Sequence, residues 1–165
     1  LNRLLEGLNT KVLDTRKTTP GFRVFEKMAV KIGGGVNHRF GLYDMVMIKD
    51  NHIDYAGGIA KAIASTKSYL EKSKLNLKIE VEARNLDEVQ EILNADRVDR
   101  IMLDNFSYAD LKVAVERIGD YAETEASGGI TEETLRNYAE CGVDYISVGA
   151  LTHQIKSLDF SLKAI

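Results

Sequence analysis

Four residues at the ends of apolar runs recur along the chain at an almost fixed interval. They are Glu82, Asp104, Ser127 and Gly149, and the steps 82 to 104, 104 to 127 and 127 to 149 are 22, 23 and 22 residues. Each run reads as a short strand: Lys78 to Glu82, Ile101 to Asp104, Tyr121 to Ala126 and Tyr145 to Val148. A strand, a loop, a helix and a return loop take up about that length, and parallel β/α repetition delivers every strand end to one rim. Loops converge at that rim and helix N-termini point free N–H groups into it, so ligands bind there.

The 165 residues suffice for one domain with a real core, because a chain of ~150 residues buries roughly two thirds of its surface. A complete eight-unit barrel takes about 250 residues. The expected fold is therefore α/β, an open, incomplete β/α (TIM-like) barrel of about seven strands. Lys11 to Asp14 and Asp44 to Ile48 supply the first two strands, and the alternating stretch Leu158 to Ile165 the last. Residues 1–10 are expected to be the remnant of a connecting helix and 11–165 the barrel. Because the chain opens on Leu1, an N-terminal part is expected to precede it.

Between the strands the pattern is helical. Pro20 opens a helix with Phe22, Phe25, Ala29 and Ile32 on its predicted core face, and Gly33 is placed to stop it in a left-handed conformation. Ile59, Ile63 and Leu70 mark the next. Asn85 with Glu88, and Ser107 with Asp110, look like helix starts, and Thr131 opens a helix that Gly142 ends.

A net charge of −3 gives no electrostatic case for nucleic acid or an anionic membrane. No stretch approaches the ~20 apolar residues of a membrane span, and the start does not read as a secretory signal. Cys141, the single cysteine, excludes an internal disulfide and reads as a buried structural thiol. His38, His52 and His153 lack metal-ligand spacing. A cytoplasmic protein without a metal of its own is the expectation.

Glu80, Glu82, Glu123 and Glu125 alternate with apolar or small residues, which points carboxylates into the barrel interior. Branched apolar side chains normally fill that space, so these acids need basic partners.

The first third supplies candidates. Arg16, Lys17, His38, Arg39 and Lys49 lie in three connecting segments that also carry glycine, threonine or asparagine. Arginine grips a carboxylate or phosphate through two parallel N–H···O bonds, and lysine adds a mobile charge. Such a cluster suits a small planar polyanion. The plainer reading pairs Arg16 with Asp14 and Lys49 with Asp50. Gly33-Gly34-Gly35 follows a helix, not a strand, so it is no dinucleotide fingerprint. It reads either as a helix stop or as a loop admitting Asn37, His38 and Arg39 to a ligand. Ser127-Gly128-Gly129 lies after a strand and before a helix, as a phosphate cradle should, and pairs with Gly149-Ala150. Glu82 and Asp104, on neighbouring strand ends, suit a hydrated Mg²⁺, sugar hydroxyls or acid–base work. Taken singly, either is equally well a carboxylate paired with Lys49 or Arg84.

Together these residues resemble the quinolinate phosphoribosyltransferase family, the carboxylating nicotinate-nucleotide pyrophosphorylases. The resemblance rests on seven ordered blocks covering essentially the whole chain: DTRKTTPGFR (Asp14 to Arg23), GGGVNHRFGLYD (Gly33 to Asp44), IKDNHI (Ile48 to Ile53), EVEA (Glu80 to Ala83), MLDN (Met102 to Asn105), ASGGI (Ala126 to Ile130) and VGALTH (Val148 to His153). It implies that Arg16, His38, Arg39 and Lys49 surround the two carboxylates of quinolinate. Lys17, Glu82, Asp104, Ser127, Gly128 and Gly149 would hold phosphoribosyl pyrophosphate, with Mg²⁺ carried on the pyrophosphate near Glu82 and Asp104 and without direct protein ligands. Lys49, Glu82 and Asp104 are the catalytic candidates. The implied reaction is ribosyl transfer to the pyridine nitrogen with loss of pyrophosphate, then decarboxylation to nicotinate mononucleotide in NAD biosynthesis. The resemblance further implies a homodimer in which an N-terminal domain, not matched here, lends an arginine to the partner's pocket. The fragment alone is thus expected to have little activity. Two alternatives remain: a related phosphoribosyl-transferring barrel for another aromatic acid, and a non-catalytic scaffold that holds phosphorylated ligands.

Overall fold

Six short parallel strands form the frame: β1 (Lys11–Leu13), β2 (Val46–Ile48), β3 (Ile79–Ala83), β4 (Arg100–Asp104), β5 (Glu123–Ser127) and β6 (Tyr145–Ser147). The computed structural model describes residues 1–154 and 159–164. The lateral order is β1-β6-β5-β4-β3-β2, sequence order read around an open ring with β1 and β2 at its free edges. Val36 bridges Leu13 in parallel and so extends the β1 edge into the gap. Helices α1 (Arg23–Ile32), α2 (Asp50–Ala56), α3 (Ile59–Lys72), α4 (Leu86–Asn94), α5 (Tyr108–Ile118), α6 (Leu135–Ala139) and α7 (Ala150–His153) complete the β/α repeats. This is the open α/β barrel that the spacing implied.

Alternation along each strand separates two environments. Val81, Ala83, Ile101, Leu103, Ala126 and Ile146 face outward and are buried with Ile63, Val89, Ile92, Leu111 and Leu135 of the helices. Each such Leu or Ile contributes about 1.5–3 kcal/mol on burial. Helix caps follow the sequence: the Asn85 side chain accepts the Asp87 and Glu88 N–H groups, and Ser107 accepts that of Asp110.

Several boundaries and one face differ from expectation. Of the predicted last strand, residues 159–164 carry no regular structure, and 158 and 165 lie outside the described residues. β2 begins at Val46 because Asp44 turns the chain, accepting the Phe40 and Gly41 N–H groups at 2.6 and 2.8 Å. The helix marked by Ile59, Ile63 and Leu70 is α3, with all three buried, but a further helix not expected from the sequence, α2, precedes it and ends at Gly57 (φ 79°). The Thr131 segment makes a turn, and α6 starts only at Leu135.

The first helix begins at Arg23, beyond Pro20, and its predicted core face points outward. Phe22, Phe25 and Ile32 are 57%, 60% and 78% exposed, and Ala29 is exposed too. Glu26 and Lys27 are buried instead, because polar partners lie beneath them. Period identifies an amphipathic helix but not what covers its apolar stripe. The left-handed residue is Gly34 (φ 85°), not Gly33. Gly35 is needed for contact, since a Cβ there would sit 2.8 Å from Val30 Cγ1.

Candidate active site

The inward strand face is ionic. Register sets Glu80 beside Arg100 and Arg100 beside Glu123, and the same face carries Glu82, Asp104, Glu125 and Ser127. Arg100 reaches Glu125 at 3.2 Å and Glu123 at 3.0 Å, and its guanidinium stacks over the Tyr145 ring at 4.1 Å. The predicted inward carboxylates with basic partners are therefore present.

His38 enters this interior from the segment that follows Val36. Its Nε2 lies 3.0 Å from Glu80 Oε2 and 3.3 Å from Glu125 Oε2, with all three residues buried. Burial works against its charge, but the two carboxylates outweigh it and push its pKa up to about 9. Burial and the nearby Glu125 raise Glu80 to about 7, while His38 and Arg100 hold the buried Glu125 below the usual carboxylate range. Nδ1 accepts the Arg39 N–H at 2.7 Å, which suits an imidazole with its single proton on Nε2. The two raised values belong to the His38–Glu80 pair as a unit: the proton it keeps up to about pH 9 is shared across the Nε2–Oε2 contact, and the N–H aimed at Nδ1 sets it on the Glu80 side. Nδ1 is thus hydrogen-bonded, while Nε2 lies within ion-pair distance of both carboxylates without an aligned hydrogen bond to either.

Asp14 is fully buried at the end of β1 and is not paired with Arg16. Its Oδ1 receives Lys27 Nζ at 2.5 Å and the His38 N–H at 2.8 Å, and its Oδ2 receives Asn37 Nδ2 at 2.6 Å. Lys27 also donates to the His38 carbonyl at 3.0 Å. This clamp joins β1, α1 and the His38–Arg39 segment without engaging either arginine side chain; Arg39 Nη1 donates to the Met45 carbonyl at 3.2 Å. Burial and then the neighbouring Arg16 lower the Arg39 pKa. Among the described residues, neither guanidinium has a carboxylate in ion-pair contact, and Arg16 Nε is buried without a hydrogen-bond partner. Two adjacent cations of this kind are chemically suited to receive an anion.

At the β2 and β3 ends, Lys49 Nζ lies 3.2 Å from Glu82 Oε2, so Lys49 pairs with Glu82 and not with Asp50. Across β4 and β5, register sets Asp104 beside Ser127. At the β6 end, a side chain on Gly149 would meet His153 Nε2 at 2.8 Å and Lys17 Cδ at 3.5 Å, and the Thr152 hydroxyl donates to the Lys17 carbonyl at 2.6 Å. The rim thus holds Arg16 with Arg39, Lys49 with Glu82, Asp104 with Ser127 and Gly128, and Lys17 with Gly149.

Sequence reasoning missed Lys27, Arg100 and His153 as parts of this assembly. Lys27 and Arg100 carry no local signal, since a charged residue on a helix or strand normally reads as solvated. His153 closes one of the quoted blocks, VGALTH, but its nearness to Lys17 appears only when β1 meets β6. Cys141 is buried as expected, and burial raises its thiol pKa. No helix among the described residues is long and apolar enough to cross a membrane.

The family model described as quinolinate phosphoribosyl transferase, C-terminal domain, matches residues 1–163. A mitochondrial quinolinate phosphoribosyltransferase [decarboxylating] from Nicotiana tabacum is 52% identical over 92% of this chain and 47% of its own length. A probable nicotinate-nucleotide pyrophosphorylase [carboxylating] from Bacillus subtilis is 45% identical over 97% of this chain and 54% of its own. The crystal structure of NadC from Streptococcus pyogenes superposes with a TM-score of 0.91 at 44% identity, covering 99% of this chain and 56% of that one. The chain spans about half the length of these relatives. Match length, identity and superposition agree, and the chain belongs to the family of quinolinate phosphoribosyl transferase C-terminal domains.

Proposed function

We propose that this barrel is the catalytic part of an enzyme that transfers a phosphoribosyl group from phosphoribosyl pyrophosphate to quinolinate. Decarboxylation then gives nicotinate mononucleotide, pyrophosphate and CO₂. The carrying observation is the Arg16–Arg39 pair, two neighbouring guanidiniums with no carboxylate in ion-pair contact among the described residues, on the same rim as Lys49. A dicarboxylate neutralises both, whereas a monocarboxylate leaves one half-buried cation without a partner.

The chemistry follows from placement. Arg16, Arg39 and Lys49 grip the two carboxylates and present the ring nitrogen to the sugar. His38 serves by holding the Arg39 segment, since its Nδ1 accepts the Arg39 N–H and its Nε2 is directed at Glu80 and Glu125 inside the barrel. As the C1′–O bond breaks, positive charge grows on the sugar, and the Glu82 and Asp104 carboxylates stabilise it by their field and by accepting ribose hydroxyls. Lys17, the Ser127 hydroxyl and the backbone N–H groups at Gly128 and Gly149 receive the phosphates. When the C2 carboxylate leaves as CO₂, the pyridinium nitrogen stabilises the electron pair left at C2, which then takes a proton from solvent to form the C2–H bond of the product, and no covalent enzyme intermediate is required. Asp104, half-buried at the rim with hard oxygen donors, fits a hydrated Mg²⁺, whereas Glu82 is engaged with Lys49. When bound, Mg²⁺ would neutralise charge on the leaving pyrophosphate.

The outward apolar face of α1 supports a homodimer, with a separate N-terminal domain completing the pocket of the partner. The reading goes with a cytoplasmic location, tested by fractionation, because the tobacco relative carries a mitochondrial name. The decisive assay is formation of nicotinate mononucleotide by the full-length protein, with calorimetry against quinolinate and nicotinate. Turnover with a strong preference for quinolinate is the expected result. Equal affinity for the two acids overturns the dicarboxylate assignment, and ligand binding without product means a scaffold.

A further inference from the structure

Residue 105, immediately after β4, adopts a backbone that side chains rarely take. Asn105 has φ 56°, one of two non-glycine residues with positive φ among those described; the other, Lys74, follows a helix end. Left-handed backbone costs a non-glycine residue about 1–2 kcal/mol, least for asparagine, whose short amide can bond locally. Such a conformation persists only where its surroundings hold it.

Three contacts hold Asn105, and each reaches a different part of the rim. Its N–H donates to the Ser127 carbonyl at 2.8 Å, tying the end of β4 to that of β5. Its side-chain Nδ2 donates to Asp104 Oδ2 at 2.7 Å, fixing how that carboxylate faces. Its Oδ1 fills the space over Gly128, where an added Cβ would lie 2.2 Å from Oδ1 and 2.5 Å from Cγ. Gly128 itself has φ 102°, so two unusual backbones meet here and interlock.

We infer that Asn105 is a positioning residue for the phosphoribosyl half of the site: it orients the Asp104 carboxylate and holds the Ser127–Gly128 turn in one shape. This rests on the assignment of that half-site made above. Asn105 is exposed and lies outside the hydrophobic core, so its conformation answers to the rim and not to packing.

Asn105→Gly in the full-length protein separates the two roles, because glycine takes the left-handed backbone freely while the amide is lost. Expected is a rise in KM for phosphoribosyl pyrophosphate of about tenfold or more, with quinolinate affinity within about twofold and melting temperature unchanged. Equal effects on both substrates, or none, overturn the inference. Asn105→Asp keeps the backbone preference but sets a second carboxylate against Asp104, and should weaken phosphoribosyl pyrophosphate at least as much. Calorimetry with inorganic pyrophosphate provides a readout independent of turnover. If the wild-type protein binds pyrophosphate but makes no product, the proposed reaction fails, while a tenfold loss in Asn105→Gly still supports the positioning role. If the wild-type protein does not bind pyrophosphate, both fail.

Discussion

Lys49 Nζ lies 3.2 Å from Glu82 Oε2, bridging the ends of β2 and β3 between the half-sites assigned to the two substrates. Lys49 is half exposed while Glu82 is buried, so the pair is asymmetric: the lysine can turn toward a ligand and the carboxylate cannot follow. Lys49→Ala is expected to weaken quinolinate by more than about tenfold, as loss of a charge-assisted contact does. Calorimetry checks this, and a change below about twofold would remove Lys49 from the site. Glu82→Gln should lower kcat while leaving quinolinate affinity nearly unchanged, and the reverse pattern means that the half-sites are interchanged.

The His38–Glu80–Glu125 cluster makes stability pH-dependent in a stated direction. His38 and Glu80 have folded pKa values raised to about 9 and about 7. A raised value means the folded state binds the proton more tightly than the unfolded chain. The corresponding stabilisation is complete below the ordinary pKa of each group and is lost as pH rises through the raised value. Melting temperature should therefore fall as pH rises from about 4.5 to about 9, the Glu80 shift acting between about 4.5 and 7 and the His38 shift between about 6.5 and 9. Glu80→Gln removes one titration and should flatten the fall. Scanning fluorimetry across that span tests it, and an identical slope in the variant contradicts the assignment.

Lys27→Met should be severe although Lys27 touches no ligand. Lys27 and Asp14 are both almost wholly buried, and removing one partner of such a pair costs about 3–5 kcal/mol. Urea unfolding measures the loss. Affinity for quinolinate should fall as well, because the His38–Arg39 segment hangs from the same clamp.

Phe25→Glu places a charge in the middle of the outward apolar face of α1. If that face pairs two copies, sedimentation should shift from dimer to monomer, and an unchanged sedimentation coefficient would count against pairing through this face.

The repeat length, the parallel order and the rim positions of Lys49, Glu82, Asp104, Ser127 and Gly149 were legible in the sequence, because each depends on local period and on strand ends. The inward carboxylates could be read from alternation alone. The partners were harder: that Asp14 belongs to Lys27 rather than Arg16 depends on how α1 lies across β1, a contact no spacing encodes. The outward turn of Phe22, Phe25 and Ile32 escaped for a related reason, since a helical stripe looks the same whether a core or another subunit covers it. His38 shows a further limit. Its neighbours in sequence, Asn37 and Arg39, suggest a ligand contact, yet its ring is directed at Glu80 and Glu125, which lie far along the chain.

The gap between β1 and β2 has a mechanical consequence. Among the described residues main-chain bonding around the ring is interrupted there, so amide exchange should begin at these two three-residue strands and reach β4, flanked on both sides, last. Arg16 and Lys49 stand on opposite lips of that seam. A small dianion gripping both would suture it, so that filling the pocket and stiffening the cylinder become a single event.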